Sequence, residues 1–391
     1  MEFVKNEKDQ KVPIKSWCYP VEDGAMEQAK NLSKLPFIYK HVALMPDCHQ
    51  GYGMPIGGVI ACKDVIIPNA VGVDIGCGML AVKTGINTNE ISTSQIKEIM
   101  GLVRKTIPVG FDHHKENQVW KGFDNAPNIK VVQKQLKSAK KQLGTLGGGN
   151  HFIEIQKDDK NLIWLMLHSG SRNFGYQIAK EYHDKAVKLC EKWYSDISNK
   201  DLAFLPVDIK EGQEYIRAMK YALDFAFENR MQMMNKVIEA VQTIFDCNIS
   251  TGYINIHHNF ASLEYHFGKN VWVHRKGATQ AQKDQIGIIP GSMGTPSYII
   301  KGLGNPDSFQ SCSHGAGRKM GRLEASRKLT VEECNKDMEG IIYGRWSKNR
   351  KGDIDLGEAP GAYKNIENVI ESELDLITPI TKLYPLGVVK G

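Results

Sequence analysis

A cysteine held between two glycines, three residues after an aspartate, places a thiolate and a carboxylate in one tight turn, Asp74-Ile75-Gly76-Cys77-Gly78. Glycine on both sides lets the backbone fold closely around an ion. Five histidine motifs follow far downstream: Gly149-Asn150-His151-Phe152, His168-Ser169-Gly170-Ser171-Arg172, His257-His258-Asn259, His274-Arg275-Lys276-Gly277 and Ser313-His314-Gly315-Ala316-Gly317-Arg318. Their glycine and polar neighbours place these histidines in turns, not on apolar helix faces, and such turns can close a metal site around the thiolate. A centre of that kind argues for an enzyme.

A thiolate is a strong ligand only when deprotonated, and a bound dication holds it so. Cys77 has enough lone pairs to bridge two ions, Asp74 adds charge that offsets them, and His151, His168 and His258 add imidazoles. A mixed sulfur, nitrogen and oxygen shell suits zinc, iron, cobalt or manganese, with softness leaning to zinc. Taken alone, Cys77 reads as a small buried hydrophobe; the flanking glycines and Asp74 change that reading. His257 is open to a packing or supporting role beside His258, and Asn150 suits a phosphate or a metal-bound water.

No G-x-x-x-x-G-K-[ST] loop and no K-x-[DN]-G lysine motif is present. Glycine-rich turns that offer backbone N–H groups to phosphate are plentiful, at Gly144–Gly149, Pro290-Gly291-Ser292-Met293-Gly294-Thr295 and Gly315–Arg318. Arg172, Arg275, Lys276, Arg318, Lys319 and Arg322 stand beside the histidine motifs and would set positive charge around the metal mouth. Arginine matches phosphate bidentately, so a polyphosphate or an RNA end is a fitting substrate. Without an RRM, KH or zinc-finger module, a strand would be held in a groove of the catalytic domain itself.

The elements that must position these residues follow from hydrophobic periodicity. Glu22–Leu32, Ser94–Lys105, Ile129–Leu143, Phe174–Trp193 and Glu211–Phe245 read as helices, the last long enough to expect a break or kink. Thr330 with Glu333 makes a capping box for a short helix to about Met338. Short apolar runs at 41–45, 58–61, 79–82, 161–167, 253–256 and 270–273 read as strands between glycine and proline turns. His168, His257/His258 and His274 stand at the carboxyl ends of three of them, where a strand fixes a side chain and a loop leaves access.

At 391 residues, 41% hydrophobic and 24% charged, the chain can bury a large core. No repeat or flexible linker divides it, and the candidate ligands run from Asp74 to His314. The expectation is therefore one catalytic domain over residues 1–391, of α/β (α+β) class, with mixed β-sheets around a deep metal-containing cleft. Eight cysteines without C-x-x-C pairing fit a reducing compartment, and no stretch reads as a membrane span or leader, so a cytoplasmic location is expected. The formal net charge of +6 is compatible with a polyanionic partner.

Ten stretches resemble one family in its own order. They are Met45–Gly51, Pro68–Gly78, Gly147–Glu154, His168–Arg172, His258-Asn259, Val273–Thr279, Pro290–Gly294, His314–Arg318, Glu358–Lys364 and Lys390-Gly391. The sequence is similar to the RtcB family of RNA-splicing ligases, which join RNA ends using GTP and manganese. The resemblance implies two Mn²⁺ ions on Asp74, Cys77, His151, His168 and His258, with Cys77 bridging. It implies that His314 is the nucleophile that takes GMP as a phosphoramidate. A guanylate pocket is implied at Asp47, Asn150, Glu154, Pro290, Gly291, Ser292, Met293, His314, Gly315, Ala316, Gly317, Tyr363 and Lys390, with Glu154 accepting from the guanine edge.

The implied substrates are RNA carrying a 2′,3′-cyclic phosphate or 3′-phosphate end and RNA carrying a 5′-hydroxyl end, with contacts at Arg172, Arg275, Lys276, Arg318 and Arg322. An accessory activator protein is a further candidate partner. The chain departs from the pattern at Gly321, where a serine is expected before Arg322, and it is short for the family; a specialised RNA-repair role stands beside tRNA splicing. Two other readings use the same metal constellation: a manganese-dependent cyclic phosphodiesterase or RNA-end phosphoesterase without ligation, and an RNA-binding protein without chemistry. Retention of His314 and Lys390 favours ligation.

Overall fold

The computed structural model describes residues 1–245, 249, 252–348 and 352–391. Two sheets dominate. In spatial order the first comprises Phe3–Lys5, Ile14–Ser16, Ile38–His49, Ile56–Cys62, Lys269–Lys276 and Asn259–His266. It is mixed: Ile14–Ser16 runs parallel to Ile38–His49 through the crossover helix Asp23–Ser33, and its other pairs are antiparallel. The second sheet, antiparallel throughout, comprises Ile254–His257, Gly78–Asn87, Leu162–Ser169, Phe152–Asp158, Ile377–Lys390, Ser297–Gly302 and Ile286–Ile289. A two-stranded ladder, Ala278–Gln280 with Ser311–Ser313, lies beside them.

Antiparallel pairing gathers the candidate ligands. Met79 pairs with His168, Phe152 with His168, and His257 with Gly78. Two of these strands begin and two end at the same edge of the sheet. Cys77 and His151 therefore precede their strands while His168 and His258 close theirs, and all four meet at one end. At His258 the chain also leaves the second sheet, because Asn259 already belongs to the first.

Gly78 has to be glycine: a Cβ there would lie 2.0 Å from the carbonyl oxygen of Ile256, on backbone that cannot yield.

The helices form where the periodicity predicts, at Thr93–Thr106, Lys130–Gln142, Arg172–Lys192 and Lys210–Ile244. Thr330 and Glu333 make the reciprocal capping box ahead of Val331–Asp337. The break expected in the longest helix is absent; it runs 35 residues. It holds no proline, and its one glycine, Gly212, is in the first turn, so nothing interrupts the hydrogen-bond ladder. Its apolar stripe, including Phe225, Met233 and Val237, is buried. Met233 and Val237 share a core with Leu80, Ile155 and Leu165 of the second sheet. The strand Ile377–Lys390, which the sequence pattern does not reveal, pairs Lys390 with Phe152 and Val388 with Glu154. Among the described residues no helix is long and apolar enough to cross a membrane.

Candidate metal and nucleotide site

Cys77, His151 and His168 are buried, and their donor atoms lie within 4.8 Å of one another. Cys77 Sγ is 3.4 Å from His151 Nε2 and 3.2 Å from His168 Nε2. His258 Nε2 is 3.3 Å from His168 Nε2, and Asp74 Oδ2 is 3.3 Å from His151 Nε2. Asp74 and His258 thus extend the Cys77, His151 and His168 cluster, each adjoining one of its histidines. The backbone locks them together: His258 N–H donates to the Cys77 carbonyl at 2.9 Å and Asn259 Nδ2 to the Asp74 carbonyl at 3.1 Å.

Ring orientation favours coordination through Nε2. His151 Nδ1 is 2.8 Å from the Leu146 carbonyl and His168 Nδ1 3.1 Å from the Asn150 carbonyl, so each Nδ1–H has an acceptor and each Nε2 keeps a lone pair facing the cluster. Burial, then the Asp74 carboxylate, pushes the Cys77 thiol well above its usual value, with Arg230 opposing. Burial and the neighbouring rings of His314 and His168 hold His258 well below the ordinary histidine value, and its buried Nδ1 has no partner among the described residues. A thiol, imidazole nitrogens and a carboxylate packed this closely turn several electron-pair donors toward one another. The donor set therefore fits a bound dication.

His314 reaches this cluster from the two-stranded ladder, its ring centroid 4.8 Å from that of His258 and edge-on to it. Asp47, on the strand Ile38–His49 of the first sheet, accepts from both His314 N–H at 3.0 Å and Nδ1–H at 2.6 Å with the same oxygen, Oδ2. Burial pushes the Asp47 carboxyl up, but the His314 ring and its hydrogen bonds outweigh this and hold it below its usual value. With Nδ1–H so engaged, Nε2 is the basic nitrogen of the His314 ring. Gly317, at φ +71°, lets the following turn press on Asp47; a Cβ there would lie 2.3 Å from the Asp47 carbonyl oxygen.

Beside the ring is a cavity of about 150 Å³ bounded by Asn150, Pro290, Gly291, Ser292, Met293, Gly315, Ala316, Gly317, Tyr363 and Lys390, all expected at the guanylate pocket. It shares His314, His49, Arg318 and Arg322 with a cleft of about 630 Å³ that also contains Asp74, Cys77, His151 and His258. Glu154 is buried behind this wall, two residues along the strand from Phe152 and so on the same face. Its Oε2 accepts from Gln156 Nε2 at 2.6 Å, and burial pushes its carboxyl up to about 8.

The basic residues divide. Arg318 and Arg322 face the cleft and are drawn together by Glu358, at 3.3 and 2.5 Å. Lys276 lines the cleft with Nζ 2.5 Å from the Tyr52 carbonyl, and burial brings its ammonium down to about 7. Arg275 corrects its expectation as a phosphate contact: its side chain is fully buried, paired at 2.5 Å with Glu264 and bonded to Ser311 and Phe309, because strand alternation turns it away from Lys276. Arg172 is spent on loop carbonyl and hydroxyl groups, donating to Gly110 O and Thr145 Oγ1, and borders neither cavity. His274 also stands apart, its ring bonded to Ile67 N–H and the Trp272 carbonyl.

Four further residues contribute, none with a role evident from sequence. Arg230, buried in the long helix, donates to the carbonyls of Gly76 and Ser169 at 2.8 and 2.9 Å and bonds His257 Nδ1 at 3.0 Å. His257 is thereby a supporting residue, held neutral by burial and Arg230. Asn229 bonds the backbone of Gly144, Thr145 and Gly170. Glu358 gathers Arg318, Arg322, Lys390 and the Tyr363 hydroxyl, and these cations outweigh burial and hold it at about 2. His49 borders both cavities, its Nδ1 2.9 Å from the Asp47 carbonyl. The available signal was phase: Asn229 falls in register with Phe225 and Met233 on an otherwise apolar stripe.

A family model described as tRNA-splicing ligase RtcB matches residues 28–126 and 120–391. The chain is 38% identical over 413 residues to an RNA-splicing ligase RtcB of Escherichia coli (strain K12), covering 97% of each chain. It is 33% identical to a tRNA-splicing ligase RtcB of Thermococcus kodakarensis, covering 95% of this chain and 92% of the relative. The corresponding protein of Pyrobaculum aerophilum is 31% identical, over 98% of this chain and 95% of its own.

Proposed function

The chain belongs to the RtcB family, and from that premise we propose that it is an RNA ligase of RNA repair or tRNA splicing. Residues 1–391 act as one catalytic domain that joins a 2′,3′-cyclic phosphate or 3′-phosphate RNA end to a 5′-hydroxyl end, using GTP. The observation that carries this reading is the pairing of His314 with Asp47 at the edge of the Cys77 cluster.

Asp47 accepts a hydrogen bond from Nδ1–H and so leaves the Nε2 lone pair of His314 to attack the α-phosphorus of GTP. The P–N bond forms as the bond to pyrophosphate breaks. Asn150, Ser292, Tyr363 and Lys390 hold the nucleotide, with Glu154 accepting from the guanine edge. A 3′-phosphate oxygen then displaces His314 from the guanylate, and the 5′-hydroxyl displaces GMP to make the phosphodiester. A cyclic end is first hydrolysed to the 3′-phosphate. Two manganese ions held by Asp74, Cys77, His151, His168 and His258 would screen the phosphate charge during these transfers. Arg318 and Arg322 bind the RNA phosphate at the cleft mouth.

The test is incubation with α-labelled GTP and Mn²⁺ followed by denaturing electrophoresis. Acid-labile label on the protein, lost in His314→Ala, is the expected result. Absence of label on manganese-loaded wild type, together with opening of cyclic phosphate ends, would assign the site to a phosphoesterase.

A further inference from the structure

The exposed face of the helix Lys130–Gln142 carries Lys130, Lys134, Lys137 and Lys141. Their spacing of four, three and four residues stacks them along one side, over about 16 Å at the usual helical rise. Val131, Val132, Ala139 and Gln142 bury the other side. The helix contains no acidic residue, and among the described residues none of the four lysines forms an ion pair. Lys130 and Lys134 border a groove of about 310 Å³ whose acids are Glu181 and Asp184; Glu181 is paired with Lys185 at 3.3 Å. Four unneutralised ammonium groups in a row repel one another, an arrangement that a polyanion relieves.

The lysine row leads to the catalytic cleft. At its carboxyl end the Lys141 carbonyl accepts from His114 N–H at 3.0 Å, which lays the preceding loop alongside. In that loop Phe111 is 96% exposed, beside exposed Lys115 and the acids Asp112 and Glu116. Gly110 N–H bonds the Gly147 carbonyl at 2.8 Å, next to the turn that carries His151. Val109 borders a cavity of about 400 Å³ with Gly149 and Lys390, and this cavity shares Arg322 with the metal cleft.

We propose that this face is the track for the RNA strand. Phosphates several nucleotides from the joined end lie on Lys130, Lys134, Lys137 and Lys141, and a base stacks on Phe111 where the strand turns into the cleft. Ammonium groups at helical spacing contact a backbone without reading sequence, and an exposed aromatic supplies the sequence-tolerant stacking used for single strands. The choice of RNA as the polyanion rests on the ligase reading above.

The test uses the full chain with all four lysines changed to glutamine, a matching four-arginine variant, and Phe111→Ala. Binding of a labelled single-stranded RNA 20-mer with a 3′-phosphate is followed by anisotropy against salt, which needs no ligation. The glutamine variant is expected to weaken binding about tenfold or more near 0.1 M salt and to flatten the log–log salt slope by up to about 3, at roughly 0.7 per lost phosphate contact. The arginine variant should retain both, and Phe111→Ala should weaken binding about fivefold or more. Guanylylation of His314 and capping of a trinucleotide 3′-phosphate should be unchanged in all three. An unaltered affinity and slope in the glutamine variant overturns the proposal, as does equal loss of trinucleotide capping. Loss of binding to anionic vesicles alone, with RNA binding intact, likewise overturns it. Failure of the ligase reading would instead appear as absent GMP label on wild type.

Discussion

Asp47 and His314 show how little separates a structural contact from a chemical one: a single carboxylate oxygen fixes both the backbone and the ring of His314. Glu154 carries a consequence in pH. Burial behind the cavity wall raises its carboxyl to about 8, so it is protonated at neutral pH before nucleotide binds, whereas accepting from guanine N–H groups requires the carboxylate. GTP affinity is therefore expected to rise about tenfold per pH unit as pH climbs from roughly 6 and to level off near 8. Isothermal titration across that range checks this; a flat profile in wild type, or the same slope in Glu154→Gln, contradicts the assignment. Gly321, where a serine is expected, is the N-cap of Arg322–Lys328, and a Cβ there meets nothing within 4 Å. Gly321→Ser is thus expected to add only a few tenths of a kcal/mol and to leave joining rates within about twofold. Thermal melts and single-turnover ligation measure both, and a large change in either would give the glycine a role that this open space does not explain.

The elements explain why ligands up to 184 residues apart in sequence need no special loop to meet, as Asp74 and His258 illustrate. Antiparallel order brings strand starts and strand ends to one edge, and Asn229 and Arg230 of the long helix bind the turns from beneath. Asn229→Ala touches no metal ligand yet strips the Gly144, Thr145 and Gly170 backbone groups of their partner. Manganese affinity is expected to fall about 10- to 100-fold, with a stability loss of about 1–3 kcal/mol. Metal titration and urea denaturation measure the two effects, and unchanged metal affinity would confine Asn229 to packing. Much of this layer was legible in the sequence. The helices had strong periodicity, and His151, His258 and His314 lie in turns as expected, whereas His168, His257 and His274 lie within strands, because the apolar runs before them continue through the histidine. Arg275 was misread because its neighbours look like a phosphate motif, whereas the alternation that buries it depends on which sheet face is inward. Asn229 and Arg230 escaped because a polar pair in the middle of a helix reads as solvent-facing until the sheet above it is known. The final strand escaped because Pro379 and Pro385 interrupt its pattern, at two irregularities in its pairing.

At the scale of the whole molecule, His258 is the hinge point of the design, the residue at which the chain passes from one sheet to the other and through which the metal cluster meets His314. Cation binding should therefore stabilise the entire fold. With manganese at about a hundred times its dissociation constant the gain is expected to be about 2.7 kcal/mol, read as a higher urea midpoint than after chelation. A midpoint indifferent to manganese, or one that still responds fully in Cys77→Ser, would place the ion elsewhere. The most direct measurement is an anomalous-scattering map from crystals soaked in Mn²⁺. Two peaks sharing the Cys77 sulfur, ringed by Asp74, His151, His168 and His258 and opening onto the His314 ring, are the expected result. Peaks remote from Cys77, or none at saturating manganese, would contradict the account.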